Sequence, residues 1–163
     1  LEVPGLELEV IALPTDNWEV FFALGVQDAE YVDLPTGCVA PNTDFAAFDV
    51  DCNVADPKRS PDVTWTLSTT YNLPIPAWGA TFRPTISGRH IGANVVGTRQ
   101  LGVNGSEFLT NAALALVDDN GRWQAMVECQ NCLDEEYITS FLFGPYFSPP
   151  MTWLARVRFN FGE

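Results

Sequence analysis

No stretch of this chain approaches the ~18 consecutive apolar residues of a membrane-spanning helix, so any contact with a membrane must be made by strands. Helical periodicity is nearly absent as well. Basic residues are scarce, with 8 Lys and Arg against 21 Asp and Glu and a net charge of -13. That argues against a nucleic-acid partner, because phosphate binding needs a basic face. Histidine occurs once, as His90, and a nucleophilic triad needs one with suitable partners, which the sequence does not suggest. Gly-x-Gly-x-x-Gly and phosphate-binding loops are missing. Carboxylates are plentiful, but abundance in an acidic chain does not define a glycosidase pair. The reading is a protein that is not an enzyme, with no catalytic residue, no cofactor and no assigned metal.

What is present is apolar and aromatic. Hydrophobic residues make up 47% and charged residues 18%, with 11 Phe and 5 Trp, which excludes a disordered chain. The 163 residues suffice for a single domain over 1–163. Seven candidate strands show period-two alternation, over about residues 6–13, 18–31, 62–72, 79–92, 107–117, 122–132 and 152–161. Leu6, Leu8 and Val10 alternate with Glu7 and Glu9 in the first strand. Trp153, Ala155, Val157 and Phe159 alternate with Arg156, Arg158 and Asn160 in the last. The fifth strand is the weakest, with small or apolar residues on both sides.

Alternation says only that one face is dry and the other wet. The connections discriminate better. Short links at Pro14–Asn17, Asn72–Trp78 and Asp118–Gly121 alternate strictly with long links at about 32–61, 93–106 and 133–151. Outer-membrane barrels have this pattern, with tight periplasmic turns and long outer loops. Trp18, Trp78 and Trp123 fall beside the short turns. Tyr31, Tyr137, Tyr146 and Trp153 fall near the long-loop ends, as interfacial aromatic girdles require. The polar face then looks inward and carries Glu7, Glu9, Glu19, Arg83, Arg89, Glu128, Arg156 and Arg158. A small closed barrel could not hold so many charges without dense pairing, whereas a large one can. Seven strands are odd, and single-chain bacterial barrels use even numbers. The expected fold class is therefore all-β, an antiparallel meander forming part of a large transmembrane β-barrel. The chain opens at Leu1 without Met and reads as the middle of a longer, processed or truncated product, with preceding strands missing.

Ordered motifs along the chain resemble the C-terminal part of the barrel of TonB-dependent outer-membrane receptors. Gly5-Leu6-Glu7-Leu8-Glu9-Val10 with Leu13-Pro14 is similar to a family strand and short turn. Leu24 to Tyr31 resembles a strand rising into an outer loop, and Ser60-Pro61-Asp62 before Val63-Thr64-Trp65 resembles the loop return. Asp118-Asp119-Asn120-Gly121-Arg122-Trp123 resembles the last periplasmic turn. Asn131-Cys132-Leu133-Asp134-Glu135-Glu136-Tyr137 is similar to an Asn-Leu-x-Asp-x-x-Tyr strand-end signature, and Pro149 to Phe161 resembles the final strand. Cys132 replaces the usual apolar residue, and Gly162-Glu163 follow Phe161, where the family usually ends on an aromatic. The resemblance implies the bacterial outer membrane and energy-coupled import of a scarce small-molecule ligand: a ferric siderophore, cobalamin or an oligosaccharide. It implies outer-membrane lipid, the N-terminal barrel and plug, and TonB through the plug as partners. The alternative from another class is a soluble all-β module binding a ligand or carbohydrate. A third is a truncated product that pairs its open edges in a dimer.

Several residues have a plainer reading beside a sharper one. Asn131, Asp134 and Tyr137 read as a structural strand-end signature rather than a ligand site. His90 reads as an interface or loop residue rather than a metal ligand. Arg83, Arg89, Arg156 and Arg158, with Glu128, are lumen-facing candidates whose arginines pair with acids of a plug or of neighbouring strands. Between Asp28 and Pro57 lie seven acidic residues and no basic one, a solvated acidic loop. A cation site at Asp44, Asp49 and Asp51 matches no standard calcium loop. The cysteines fall in two pairs and suit an oxidising compartment. A zinc site needs all four to converge, and a thioredoxin motif needs Cys129-x-x-Cys132 to open a helix, whereas here it ends a strand. Cys129 and Cys132 can pair, though a bridge within one strand would distort it. Cys38 and Cys52, which share the first long loop, are the preferred disulfide, worth on the order of 3 kcal/mol. Mass spectrometry without reductant is expected to recover the two cysteines in one cross-linked peptide. Free thiols at both would contradict the pairing.

Overall fold

The structure, a computed structural model, describes residues 2–30, 57, 59–97, 102–141 and 143–161. The strands in chain order are β1 (Gly5–Thr15), β2 (Trp18–Gln27), β3 (Val63–Tyr71), β4 (Leu73–Ile75), β5 (Ala80–Ile91), β6 (Asn94–Val95), β7 (Val103–Asn104), β8 (Glu107–Asp118), β9 (Trp123–Gln130), β10 (Ile138–Phe141), β11 (Pro145–Phe147) and β12 (Thr152–Phe159), with a 3-10 turn at Pro76–Trp78. The main sheet runs β1-β2-β3-β5-β8-β9-β12, with β4 also pairing β5. Every pairing is antiparallel. The seven long strands match the expected alternating segments. β6–β7 and β10–β11 are small hairpins inside the long connections.

One local feature departs from the sequence expectation. Residues 72–78 were expected to be a plain link, yet Leu73–Ile75 continues the sheet by pairing with Ala80–Phe82 of β5. Pro84 gives a physical reason for the break between β3 and β4. It lies in the middle of β5 and has no N–H to donate, which proline normally forbids in a central strand. The β3–β5 ladder ends at Thr70 and Thr85 and resumes on β4 at Leu73 and Phe82. Pro84 thus falls in the gap, while it stays in register with Leu114 of β8.

The sheet is one layer thick. Among the described residues the buried apolar side chains are Ala80, Val95, Ala115 and Cys129, and no large side chain is fully buried. Yet the apolar face is continuous. Val157, Ala125, Leu116 and Phe82 follow one another across four strands. Leu8, Leu24 and Trp65 do the same across three. These side chains face outward with nothing over them: Trp153 is 64% exposed, Leu114 54% and Ile86 52%. A sandwich would bury them against a second sheet, and no second layer exists among the described residues. Within the apolar face the packing is lateral. Phe108 covers Gly88 so closely that a Cβ there would lie 2.9 Å from the ring, an aromatic laid over a strand glycine.

An uncovered apolar face of this extent marks an interaction surface or an aggregation liability. The chain in plain buffer is expected to self-associate and to become monodisperse in detergent micelles, as measured by analytical ultracentrifugation. A stable monomer at millimolar concentration without detergent would contradict the one-layer arrangement.

Candidate functional site

The candidate site is the polar face and its two rims. Strand register sorts the side chains, because neighbours in register point to the same side. Arg83 is opposite Ala115, Ala115 opposite Met126, and Met126 opposite Arg156. The next row, toward the short turns, is Thr81, Val117, Gln124 and Arg158. The row on the other side is Thr85, Ala113, Glu128 and Leu154. Arg89 pairs with Thr66 and Leu109 on the same face. Glu7, Glu9 and Glu19 join it through β1, β2 and β3. All five lumen-facing candidates therefore share one face of the sheet. Hydroxyls knit it together, as between Thr70 and Thr85, whose oxygens are 2.8 Å apart.

Of these arginines, Arg89 interacts electrostatically with Glu107 of the neighbouring strand β8. Among the described residues, Arg83, Arg156 and Arg158 form no ion pair, while Asp118 and Arg122 do. The register gives the reason: the two rows that hold Arg83, Arg156 and Arg158 contain no acidic residue.

The short-turn rim is ordered by Asp118, whose role the sequence reading did not identify. Its buried carboxylate accepts hydrogen bonds from the backbone N–H of Asn120 and Arg122 and from the Arg122 guanidinium at 2.7 and 2.9 Å. Gly121, with φ of 70°, closes the turn by donating to the Asp118 carbonyl. Asp119 ties this turn to its neighbour, donating its N–H to the Gly79 carbonyl and accepting from the Thr81 hydroxyl. Asn160 ties it to the end of β12 through the carbonyls of Gly121 and Arg122. The Asp-Asp-Asn-Gly composition signalled a turn. The links between turns depend on which turns become neighbours, and no local signal carries that.

The long-loop rim is clamped by side-chain amides. Asn131, in the left-handed region at φ of 51°, accepts from the Glu135 N–H and donates to the carbonyls of Glu135 and Pro149. Asp134, also left-handed at φ of 55°, accepts from the Met151 N–H at 2.8 Å. Together they bind the start of the third long connection to the lead-in of β12. Tyr137 joins through its backbone, donating to the Ser148 hydroxyl and accepting from the Ser148 N–H. Asn104, buried in the second long connection, exchanges two 2.9 Å hydrogen bonds with the backbone of Ile138 in the third. Asn104 and Ser148 were missed because each acts on a residue distant in sequence.

Cys129 and Cys132 form a disulfide. Cys129 is within β9 and Cys132 lies in the turn beyond it, so the bridge spans the strand end rather than one strand. Gln130 between them still pairs with Thr152. His90 lies on the apolar side, its ring stacked on Trp65 at 5.7 Å. Cys38, Cys52, Tyr31, Asp44, Asp49 and Asp51 lie outside the described residues.

An open, one-layer antiparallel sheet with one apolar and one polar face, short turns at one end and long connections at the other, is the fold of a section of β-barrel wall. No protein-family model matches the chain, and no curated protein matches it. Among solved structures it is similar to the ferric-catecholate import receptor Fiu of E. coli K12 in its closed form, with a TM-score of 0.73 and 18% identity over 98% of this chain. The match takes in 21% of the receptor, so the chain spans about a fifth of that protein's length. At this identity the likeness establishes the fold alone.

Replacing Asn131 by Ala is expected to destabilise the long-loop rim by about 2 kcal/mol, since three hydrogen bonds are lost and Ala is poorly suited to positive φ. Asn131→Gly keeps the backbone conformation and should cost less. Amide exchange at Glu135 measures both, and unchanged protection in both variants would remove the clamp from the account.

Proposed function

We propose that this chain is a section of the wall of an outer-membrane β-barrel of the TonB-dependent import-receptor type. The observation that carries the reading is the continuous apolar face with no protein layer over it. Lipid is the solvent such a face suits, because strands can cross a bilayer only when their backbone groups pair with one another. The polar face is then the interior of a large barrel. β1 and β12 are the two open edges, and further strands of the same barrel complete their hydrogen bonding. The short turns lie on the periplasmic side and the long connections outside.

In this reading the chain contributes structure to an active importer of a scarce ligand and catalyses no reaction. The classes implied are a ferric siderophore, cobalamin or an oligosaccharide. Likeness to a ferric-catecholate import receptor favours the first. Energy coupling belongs to a plug domain that contacts TonB, and the wall supplies the passage. Asn131, Asp134 and Tyr137 act as the strand-end signature that anchors the last outer loop.

Adjacent residues of β8 provide the test, since Leu114 is on the apolar face and Ala113 on the polar one. Arg at position 114 is expected to cost about 2–4 kcal/mol, the range for a lipid-facing base near the bilayer midplane. Arg at position 113 should cost little. Folding into lipid vesicles, followed by heat-modifiable gel migration against urea, measures both. Equal effects at the two positions would sink the lipid assignment.

A further inference from the structure

The chain leaves β9 through a turn that a covalent bond enforces. Cys129 lies on the apolar side of β9, in register with Ala112 and Trp153, and is bridged to Cys132 three residues on. A strand would separate Cα atoms three residues apart by about 10 Å, whereas these two are 5.6 Å apart. The bridge therefore excludes a straight continuation of β9. Between the two cysteines lies Asn131, in the left-handed region at φ of 51°. The same Asn131 builds the clamp. Its side chain accepts from the Glu135 N–H and donates to the carbonyls of Glu135 and Pro149. Its carbonyl accepts from the Asp134 N–H, and the Asp134 carboxylate accepts from the Met151 N–H. Bridge and clamp thus constrain one turn, which joins the third long connection to the lead-in of β12.

Two other hydrogen bonds hold this turn, from the Asn131 N–H to Asn111 Oδ1 and from the Cys132 N–H to the Thr110 carbonyl. Both anchor it to β8, and neither reaches the connection beyond Cys132. The two sulfurs differ in access: Cys129 is 2% exposed, whereas Cys132 is half-buried. We propose that the Cys129–Cys132 bridge is a thiol-exchange site that sets the strength of the clamp, so that a dithiol reductant loosens the third long connection. A thiolate of the dithiol bonds to the Cys132 sulfur as the bridge breaks, and Cys129 leaves as a thiolate that takes up a proton. The second thiol of the reductant then attacks the sulfur bound to Cys132, closing a cyclic disulfide and releasing Cys132 as the second thiol. Two electrons pass from the dithiol to the cysteine pair, and the reverse exchange with the oxidised dithiol restores the bridge. The proposal depends on the sheet and its rim alone, and it holds whether or not lipid covers the apolar face.

The test uses the full chain carrying Cys38→Ser and Cys52→Ser, folded in detergent micelles, with hydrogen exchange followed at the Glu135 and Met151 amides before and after dithiothreitol. Where that background does not fold, the parent chain replaces it, and alkylation with peptide mapping reports the state of Cys129 and Cys132. Reduction is expected to speed exchange at both amides about tenfold, as release of a covalent restraint on a local opening would. The Asn160 amide, bonded to the Arg122 carbonyl at the opposite rim, should keep its rate. Cys132→Ala should show the fast rates without reductant and gain nothing from it. In Asn131→Ala, where the clamp is already lost, reduction should add little at Glu135. Unchanged rates in a chain whose two thiols are shown to be free overturn the proposal, as does a bridge that dithiothreitol does not open in the folded chain. An equal acceleration at Asn160 would mark general unfolding and overturn it as well.

Discussion

Backbone hydrogen bonding between neighbouring strands is the constraint on which the rest of this structure depends. In most domains the sheet ladder and a packed core share the task of holding the chain together. Here the ladder stands almost alone, since the large apolar side chains have no layer to pack against. That arrangement is unfavourable in water, where an exposed apolar sheet gains nothing from burial. It becomes favourable when the surroundings are themselves apolar, and an unpaired N–H or C=O is then the costly feature. The accommodation of Pro84 illustrates this. A missing donor in a central strand is tolerated because the neighbouring ladder is broken at that point and resumes one strand later.

Because the sheet is thin, its ends are where folded structure accumulates. The short-turn rim is joined by Asp118, Asp119 and Asn160, and the long-loop rim by Asn104, Asn131 and Asp134. Most are short polar side chains that substitute for backbone partners at points where the ladder stops. Asn131 and Asp134 also tolerate positive φ, which lets the chain turn sharply out of β9 while its amide and carboxylate reach forward to the lead-in of β12. The buried polar groups Asn104, Glu107, Asp118 and Asn131 all lie at these rims. They keep adjacent connections together independently of whatever solvent surrounds the middle of the sheet.

The faces follow from the same geometry. A strand period of two sends alternate residues to opposite sides, and register then decides which residues of different strands become neighbours. The row that brings Arg83 and Arg156 together exists only after that pairing. In the linear sequence Arg83 and Arg156 are unrelated. In the sheet they belong to one row, with Ala115 and Met126 between them.

By itself the sequence determined the strands, their faces and the alternation of short and long connections, because each is a local property of period and turn composition. Leu6, Leu8 and Val10 against Glu7 and Glu9 need no partner to reveal two faces, and Asp118 to Gly121 needs none to reveal a turn. Tertiary structure decided the rest. The pairing of Leu73–Ile75 with β5, the Asn104 clamp on Ile138, the stacking of His90 on Trp65 and the grouping of the arginines all join residues far apart in the chain or placed by register. No local pattern encodes such contacts. They appear once hydrogen bonding has set which strand lies beside which, and that choice is made by the whole sheet at once.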